Sequence, residues 1–405
     1  MPLPQIDLVN PDNFVEAIPH HWFKALRANA PVYWHEDAVH GVGFWVITKY
    51  KDLEYISKNP LKFSSEAKSA LFPEHDDETL EGLRMMMLNQ DPPKHRHFRS
   101  IVLHSFTNSV MDTLKEDITK RSKEIVDTVA KQGHCEFVED LACKLPLRVI
   151  CDMMGVDNEQ DEKRIFELTN IMIGADDPDM QTSSEEGTNA AIEIYTMGMA
   201  LAERYRDDAR DKNLTTRLLH TEVEGEHLTE DEFCRFFLLL LVAGNETTRT
   251  VTSNGMRLLM EHPDQLQMLV DDPSLIPQAI EECLRFAPAV IQFRRTAMED
   301  IELRGQQIKK GDKVVMYYAS ANRDEDIFPD SDKFDVLRKN NDHRAFGIGE
   351  HFCLGAHLAR LELNAIFYEI ITRLHKPRFA SPVKRLRSNF INGVKEMQIE
   401  FEPEK

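Results

Sequence analysis

Four groups of residues have types and spacings that could carry chemistry. The most specific runs from Phe346 to Gly355 and reads Phe-Gly-Ile-Gly-Glu-His-Phe-Cys-Leu-Gly. It sets Cys353 behind two glycines and His351 and ahead of a third glycine, and from Leu354 onward Leu354, Leu358, Leu361 and Ala365 recur at helical spacing. That pattern predicts Cys353 at a helix N-terminus, where unpaired backbone N–H groups favour a thiolate, the form that ligates metal or attacks an electrophile. Cys353 also reads as a buried free cysteine beside a tight turn.

The second group interrupts an apolar run. Phe236 to Ala243 is apolar on all sides, which predicts a central helix, and it leads into Gly244, Asn245, Glu246, Thr247 and Thr248. An acid and hydroxyls inside a buried helix are costly unless they are hydrogen-bonded or face water. A kink with water between Gly244 and Thr247 would satisfy them and form a proton relay; Thr247 bonding back to a carbonyl one turn earlier is the structural alternative. The third group is cationic. His95 and Arg99 lie four apart behind Pro92 and Pro93, so they share a helical face that would bind a pair of carboxylates or remain a solvated basic patch. The fourth is Glu282-Cys-Leu-Arg285, an acid and a base on one helical face, a spacing that Glu81 with Arg84, Glu203 with Arg206 and Glu232 with Arg235 share.

In this order the motifs resemble the cytochrome P450 family over essentially the whole chain, and the run from Phe346 to Gly355 resembles that family's haem-ligand loop with every characteristic position filled. The resemblance implies a mainly α fold with a smaller β-rich region, as a single domain over residues 1–405. It implies iron protoporphyrin IX (haem b) on the Cys353 thiolate, whose electron donation favours cleavage of the dioxygen bond. Phe346, Gly347, Gly355 and Ala243 are then expected beside the haem, and His95, Arg99, Arg295 and His351 on its propionates. Arg294 competes with Arg295 for that role, although strand alternation sends the two to opposite faces. Ala243 to Thr248 resembles the family's oxygen-binding helix, in which Gly244, Glu246 and Thr247 are catalytic and the acid and alcohol hand on protons; many members carry aspartate where this chain has Glu246. Glu282, Arg285 and Arg338 are implied to form a buried structural triad. Met87, Val290, Ile291, Phe390 and Ile391 are implied to line the substrate pocket, with ordinary core as the alternative for Met87, Phe390 and Ile391.

The activity so implied is monooxygenation, inserting one atom of O2 into an unactivated C–H bond of a hydrophobic small molecule. The chain has no room for a flavin or nicotinamide domain, so the resemblance implies electrons from a separate ferredoxin with its ferredoxin reductase, docking near Arg96. The segments Gly244 to Arg249 and Arg385 to Val394 are most similar to the bacterial branch acting on sterol side chains, methyl-branched lipids and terpenoids. O-demethylation of a methoxy compound, a haem sensor and a peroxide-driven or isomerising enzyme stay open as alternatives.

The elements that must position these groups follow from pattern. Pro31 to Trp34 and Gly43 to Thr48 read as a hairpin. Ser64 to Asn89 loses its period and reads as a loop. Ser109 to Lys131 and Asp140 to Met154 read as helices, with a short Glu136–Val138 strand between them, and 157–208 reads as helical with a polar break at 176–187. Thr229 with Glu232 reads as a capping box opening a helix to about Glu261, and Pro277 to Phe286 as another. Phe293–Ala297, Ile301–Leu303 and Val314–Tyr318 read as strands, and Arg385 to Val394 as a final hairpin.

Composition sets the frame. The 405 residues are 42% hydrophobic, enough for a large core, and no linker or repeat divides them. A formal net charge of −20 argues against a nucleic-acid partner. Six cysteines without a C-x-x-C pair suggest neither a zinc ribbon nor a disulfide framework and fit a reducing cytoplasm. Asp7, Asp12 and Glu16 break up the N-terminal apolar runs, so no secretory leader is predicted, and no segment approaches the ~20 apolar residues of a membrane span.

Overall fold

Thr229 and Glu232 form the reciprocal cap that their spacing predicts. The Glu232 N–H donates to Thr229 Oγ1 (3.2 Å) and the Thr229 N–H to Glu232 Oε2 (3.0 Å). They open a helix of 32 residues, Glu230–Glu261, against which several other helices pack. The computed structural model describes residues 3–404, apart from 38, 40, 182, 209–212 and 223–224. The elements that position the site are, in chain order, strands β1 (Val32–His35), β2 (Phe44–Ile47) and β3 (Phe63–Ser64), helices α1 (Lys94–Leu103), α2 (Lys144–Met154), α3 (Glu230–Glu261) and α4 (Ile276–Phe286), strands β4 (Gln292–Ala297) and β5 (Lys313–Tyr317), and helix α5 (Ala356–Arg373).

Helices form the larger part. Phe233, Phe237 and Leu241 of α3 share one core with Val149 and Ile150 of α2, Ile280 and Leu284 of α4 and Leu363, Ile366 and Ile370 of α5. Each such side chain, fully buried, contributes about 1.5–3 kcal/mol. The five strands make one sheet in the order β1-β2-β5-β4-β3, antiparallel except where β2 pairs in parallel with β5. Alternation along the strands divides their side chains between two smaller cores. Trp45, Ile47, Val314 and Met316 enter one; Phe44, Val46, Val315 and Tyr317 enter the other. The sheet is therefore covered on both faces, which makes it a rigid platform for Arg294 and Arg295 on β4.

Several expectations need correction. The stretch from Ser64 to Asn89 is not a structureless loop: Asp77–Arg84 is helical, capped by Asp76 accepting from the Thr79 N–H at 2.7 Å. Leu80 is the one buried residue of that helix, which is why no apolar period marked it. The helix predicted over 109–131 divides into Asn108–Asp112 and Lys115–Asp127, and a π-helical turn at Val138–Ala142 delays α2 to Lys144. Most consequential, α3 runs as one continuous helix through Gly244 to Thr248. Its hydroxyls bond to carbonyls one turn back: Thr247 Oγ1 donates to Ala243 O (2.7 Å) and Thr252 Oγ1 to Thr248 O (2.9 Å). Among the described residues no helix is long and apolar enough to cross a membrane.

Candidate active site

The loop before α5 is shaped by its glycines and closed by backbone hydrogen bonds. Gly349 has φ +77°, and a Cβ there would stand 2.5 Å from the Ser57 carbonyl oxygen, so only glycine fits the turn. The Gly347 N–H donates to Arg344 O and the Cys353 N–H to Phe346 O, each at 2.9 Å. Cys353 is half-buried, whereas the other five cysteines are buried. The helix begins at Ala356 with Gly355 as its N-cap, three residues later than Cys353, so the sulfur meets the Gly355 amide rather than the helix end itself. Burial raises the Cys353 thiol above its ordinary value, and the Gly355 N–H, Arg99 and Arg360 pull the other way. The thiolate expected from a helix terminus is thus not the resting preference of the chain alone; a cation at the sulfur is what would ionise it. A Cβ on Gly355 would meet no protein atom within 4 Å, so the protein itself does not require glycine there.

Two guanidiniums and two imidazoles converge beside this loop. His95 on α1 is fully buried, its ring lies 4.2 Å from that of His351, and neither of its nitrogens has a hydrogen-bond partner. Burial first, then the fields of Arg99 and Arg295, push its pKa down to about 4. His351 is held well below its ordinary value by burial and by Arg295, His95 and Arg99. Arg99 Nη2 donates to the Phe352 carbonyl at 2.6 Å, and Arg295 Nη1 to the Arg294 carbonyl at 2.7 Å. Among the described residues neither arginine has an ion-pair partner. Arg294, by contrast, is committed: it points to the other face of β4, where Glu74 takes it at 2.7 Å. A set of two guanidiniums without an ion-paired carboxylate and two imidazoles, one with both nitrogens buried and unpartnered, is destabilising on its own. It fits a ligand bearing two carboxylates, as the propionates of a haem would be, with Arg295 rather than Arg294 available to them.

Helix α3 supplies another wall. Leu240, Ala243, Gly244 and Thr247 fall on one stripe; Ala243 is exposed and the other three are half-buried, whereas Leu241, Asn245, Glu246 and Thr248 beside them are buried. Glu246 lies off it. Its carboxylate ion-pairs with Arg249 and accepts from Thr250 Oγ1 (3.1 Å), while burial raises its pKa. The structure therefore does not join Glu246 to Thr247 by a hydrogen bond. Gly244 has a packing role: a Cβ there would overlap Ile150 Cδ1 of α2.

The remaining residues fall as follows. Glu282 and Arg285 are fully buried and bidentate (2.7 and 2.8 Å), Arg338 Nε reaches both Glu282 oxygens at 3.1 Å, and Arg285 also ties down the carbonyls of Asn322 and Ser331. Met87 packs into the main core. Ile291, placed in the substrate pocket by resemblance, instead enters the core behind the sheet with Phe44 and Tyr317. Val290 faces the other way by alternation and pairs with Ile391 across an isolated bridge. Ile391 is buried, and Phe390 lies edge-on to Phe293 at 5.5 Å. Arg96 is exposed but paired with Glu350, so it is not a free charge.

One constellation escaped the sequence reading. Arg360 of α5 lies 4.5 Å from the Phe346 ring centroid and binds Glu281 of α4 (2.7 and 2.8 Å), which also meets His343 Nε2 at 3.1 Å. It clamps the base of the cysteine loop to α4. Glu281 directly precedes the Glu282 motif, but its partner stands 79 residues away, a separation no spacing rule reaches.

Comparisons with known proteins agree with this geometry. The Cytochrome P450 family model matches residues 38–389. A steroid C26-monooxygenase of Rhodococcus jostii is 38% identical over 98% of this chain and 84% of its own length. A methyl-branched lipid omega-hydroxylase of Mycobacterium tuberculosis is 39% identical over 93% of this chain and 90% of its own. Among solved structures, a cytochrome P450 of Mycobacterium marinum in complex with pseudoionone superimposes with a TM-score of 0.90 at 35% identity, covering 99% of each chain.

Proposed function

This chain belongs to the cytochrome P450 family and is a haem-dependent monooxygenase of hydrophobic molecules, and on that premise we propose that it carries haem b and hydroxylates an aliphatic, terminal carbon of a sterol-, terpenoid- or lipid-like substrate. The observation that carries the haem assignment is the set of His95, Arg99, Arg295 and His351 beside Cys353, in which His95 and Arg295 are buried, both His95 nitrogens lack a partner and neither arginine has an ion-pair partner among the described residues. When bound, the haem supplies the power to activate O2 and oxidise a C–H bond. Everything else is the work of this chain's own residues.

Cys353 would ligate the iron, aligned by the Gly355 amide and kept in place by the Arg360–Glu281 clamp. Arg99 and Arg295 would neutralise the two propionates, with the His95 and His351 rings as hydrogen-bond partners. Ala243, small and exposed on α3, leaves room for the haem face, and the Thr247 hydroxyl one turn on holds a proton that it now donates to Ala243 O. Burial raises the Glu246 pKa and so favours the protonated form, which refills that proton once the carboxyl turns away from Arg249 and Thr250. The terminal-carbon reading is supported by relatives named for C26 of a steroid and the omega position of a methyl-branched lipid. Val290, Phe390 and Ile391 are the proposed apolar contacts.

The chain acts as one catalytic unit over residues 1–405, in a reducing cytoplasm where its cysteines stay free, and takes electrons from a ferredoxin with its reductase. Arg96, close to the cysteine loop and paired among the described residues with Glu350 alone, can exchange that acid for one on the ferredoxin. Arg96→Glu is expected to slow reduction and leave substrate binding unchanged; equal reduction rates would remove Arg96 from the docking face. The deciding experiment titrates the ferric protein with a sterol, a methyl-branched fatty acid, an acyclic terpene and a methoxy-aromatic, then identifies products with O2 and a surrogate ferredoxin pair. A spin-state change and a terminal alcohol from one of the first three are expected. Product from the methoxy-aromatic alone would transfer the assignment to O-demethylation, and product with peroxide but not O2 would overturn it.

A further inference from the structure

A second cavity, of about 620 Å³, opens between the last turn of α3, the end of α4, residues 16–20 and residues 379–385, and shares no residue with the site above. Arg385 lines it. Its Nη2 donates to Asn392 Oδ1 (2.5 Å) and its Nη1 to Asn254 Oδ1 (3.5 Å), both neutral amides, and its buried Nε has no partner. Arg323, which is 9% exposed, lines it too. Arg323 Nη2 donates to the Phe286 carbonyl (3.1 Å) and Nη1 reaches Asp332 at 3.5 Å, but its Nε is again buried and unpartnered. The buried Nδ1 of His20 is a third orphan. Burial lowers both guanidiniums to about 10 and keeps His20 neutral.

Charge accounting in this cavity leaves one cation over. Its lining sets three guanidiniums, Arg257, Arg323 and Arg385, against two carboxylates, Glu16 and Glu261. Arg257 grips Glu261 at 2.7 and 2.8 Å, and Asp332, which lies outside the lining and is shared with Lys24, is 3.5 Å from Arg323. Arg385 has no ion-pair partner among the described residues; Glu261 acts on it only at longer range. A buried guanidinium with a free Nε–H edge is matched by a planar carboxylate, which accepts two parallel N–H bonds. An excess of one charge, with Glu261 and Glu16 also on the lining, disfavours a dianion. Ile18, Leu258 and Val383 give the rest of the cavity an apolar wall.

We propose that this cavity is a binding site for a small monocarboxylate with an apolar body, the carboxylate on Arg385 and the body against Ile18, Leu258 and Val383. The occupant reaches beyond its own walls. Asn392, held by Arg385, accepts from Asn254 Nδ2 (2.7 Å), donates its N–H to Ala289 O (2.8 Å) and directly follows Ile391, so a bound carboxylate steadies the turn at 388–392.

The test uses the holoenzyme with its haem cavity closed by an azole, so that binding there is not counted. Hexanoate is titrated by calorimetry, with hexanol and inorganic phosphate alongside, and hydrogen exchange reports the location. Saturable hexanoate binding at about 1–10 mM is expected, with slower exchange in 16–20 and 383–392 and no heat from hexanol. Arg385→Gln is expected to weaken it by about tenfold or more. Ala17→Trp, at the exposed mouth and away from the guanidinium, is expected to weaken it with an unchanged thermal midpoint, and decides the matter if Arg385→Gln does not fold. Equal affinity in both variants, equal binding of hexanol, tighter binding of phosphate, or protection elsewhere would each overturn the proposal.

Discussion

The rings of His95 and His351 lie 4.2 Å apart, and both His95 nitrogens are buried without a partner. A residue kept for packing would not carry two unsatisfied polar atoms, each costing about 1–3 kcal/mol. His95→Phe should therefore leave the thermal midpoint unchanged or raise it, while haem is lost to a scavenging globin about 10–100 times faster, as the loss of one hydrogen bond to a charged group requires. An unchanged loss rate would return His95 to the scaffold.

Glu282 and Arg285 have no exposed side-chain area, and removing one partner strands the other. Glu282→Ala is expected to cost about 3–5 kcal/mol, read as loss of folded holoprotein. The same four-residue pattern at Glu203 and Arg206 is exposed on both sides, and Glu203→Ala should cost less than about 1 kcal/mol. Comparable losses in the two variants would mean that burial is not what distinguishes the motifs.

Gly244 tests a correction. Its missing Cβ admits Ile150 of α2, so Gly244→Ala should destabilise by about 1–3 kcal/mol and Ile150→Ala should restore much of that loss in the double variant. A strictly catalytic Gly244 would show no such coupling.

How far these assignments were legible depended on where each partner lies along the chain. The capping box, the strands, the cysteine loop and Glu282-x-x-Arg285 are local patterns, and each was readable because its physics acts within one turn or one hairpin. The helix at Asp77–Arg84 was invisible because a single buried leucine gives no period. The polar groups at Gly244 to Thr248 need no interruption of the helix, because a backbone carbonyl one turn back takes the Thr247 hydroxyl and Arg249 takes Glu246. Ile291 was misassigned by one residue of strand alternation, which exchanges cavity for core. The Arg360–Glu281–His343 clamp and the choice of Arg295 over Arg294 needed tertiary partners, Glu74 above all, that no spacing supplies.

Thr247 donates one hydroxyl hydrogen bond, to Ala243 O at 2.7 Å, so Thr247→Ala should change stability by less than about 1 kcal/mol. Its effect belongs to chemistry. With a surrogate electron chain, NADH consumption is expected to continue while product falls at least about tenfold and peroxide rises in its place, and Thr247→Ser should recover most of the product. Full coupling in the alanine variant would remove Thr247 from the proton path.

Glu362 on α5 gives a pH dependence whose sign is fixed. Its carboxyl is 2% exposed, accepts from the Thr248 hydroxyl, and has an oxygen, Oε1, with no partner; burial raises its pKa to about 8. An unfolded chain would release this proton near the ordinary glutamate value, whereas the folded one keeps it, so between about pH 4.5 and about pH 8 the folded state binds the extra proton. Stability from this group is accordingly present at the acidic end of that window and is lost as pH rises through it, levelling off above the folded value. Glu362→Gln keeps the acceptor for Thr248 and cannot ionise. Relative to the unaltered protein, the variant should be about equal in thermal midpoint at about pH 5 and clearly more stable at about pH 8, by a few kcal/mol at most. A constant difference across that range would mean that Glu362 is already ionised in the fold and that a buried cation or water, rather than a proton, satisfies it.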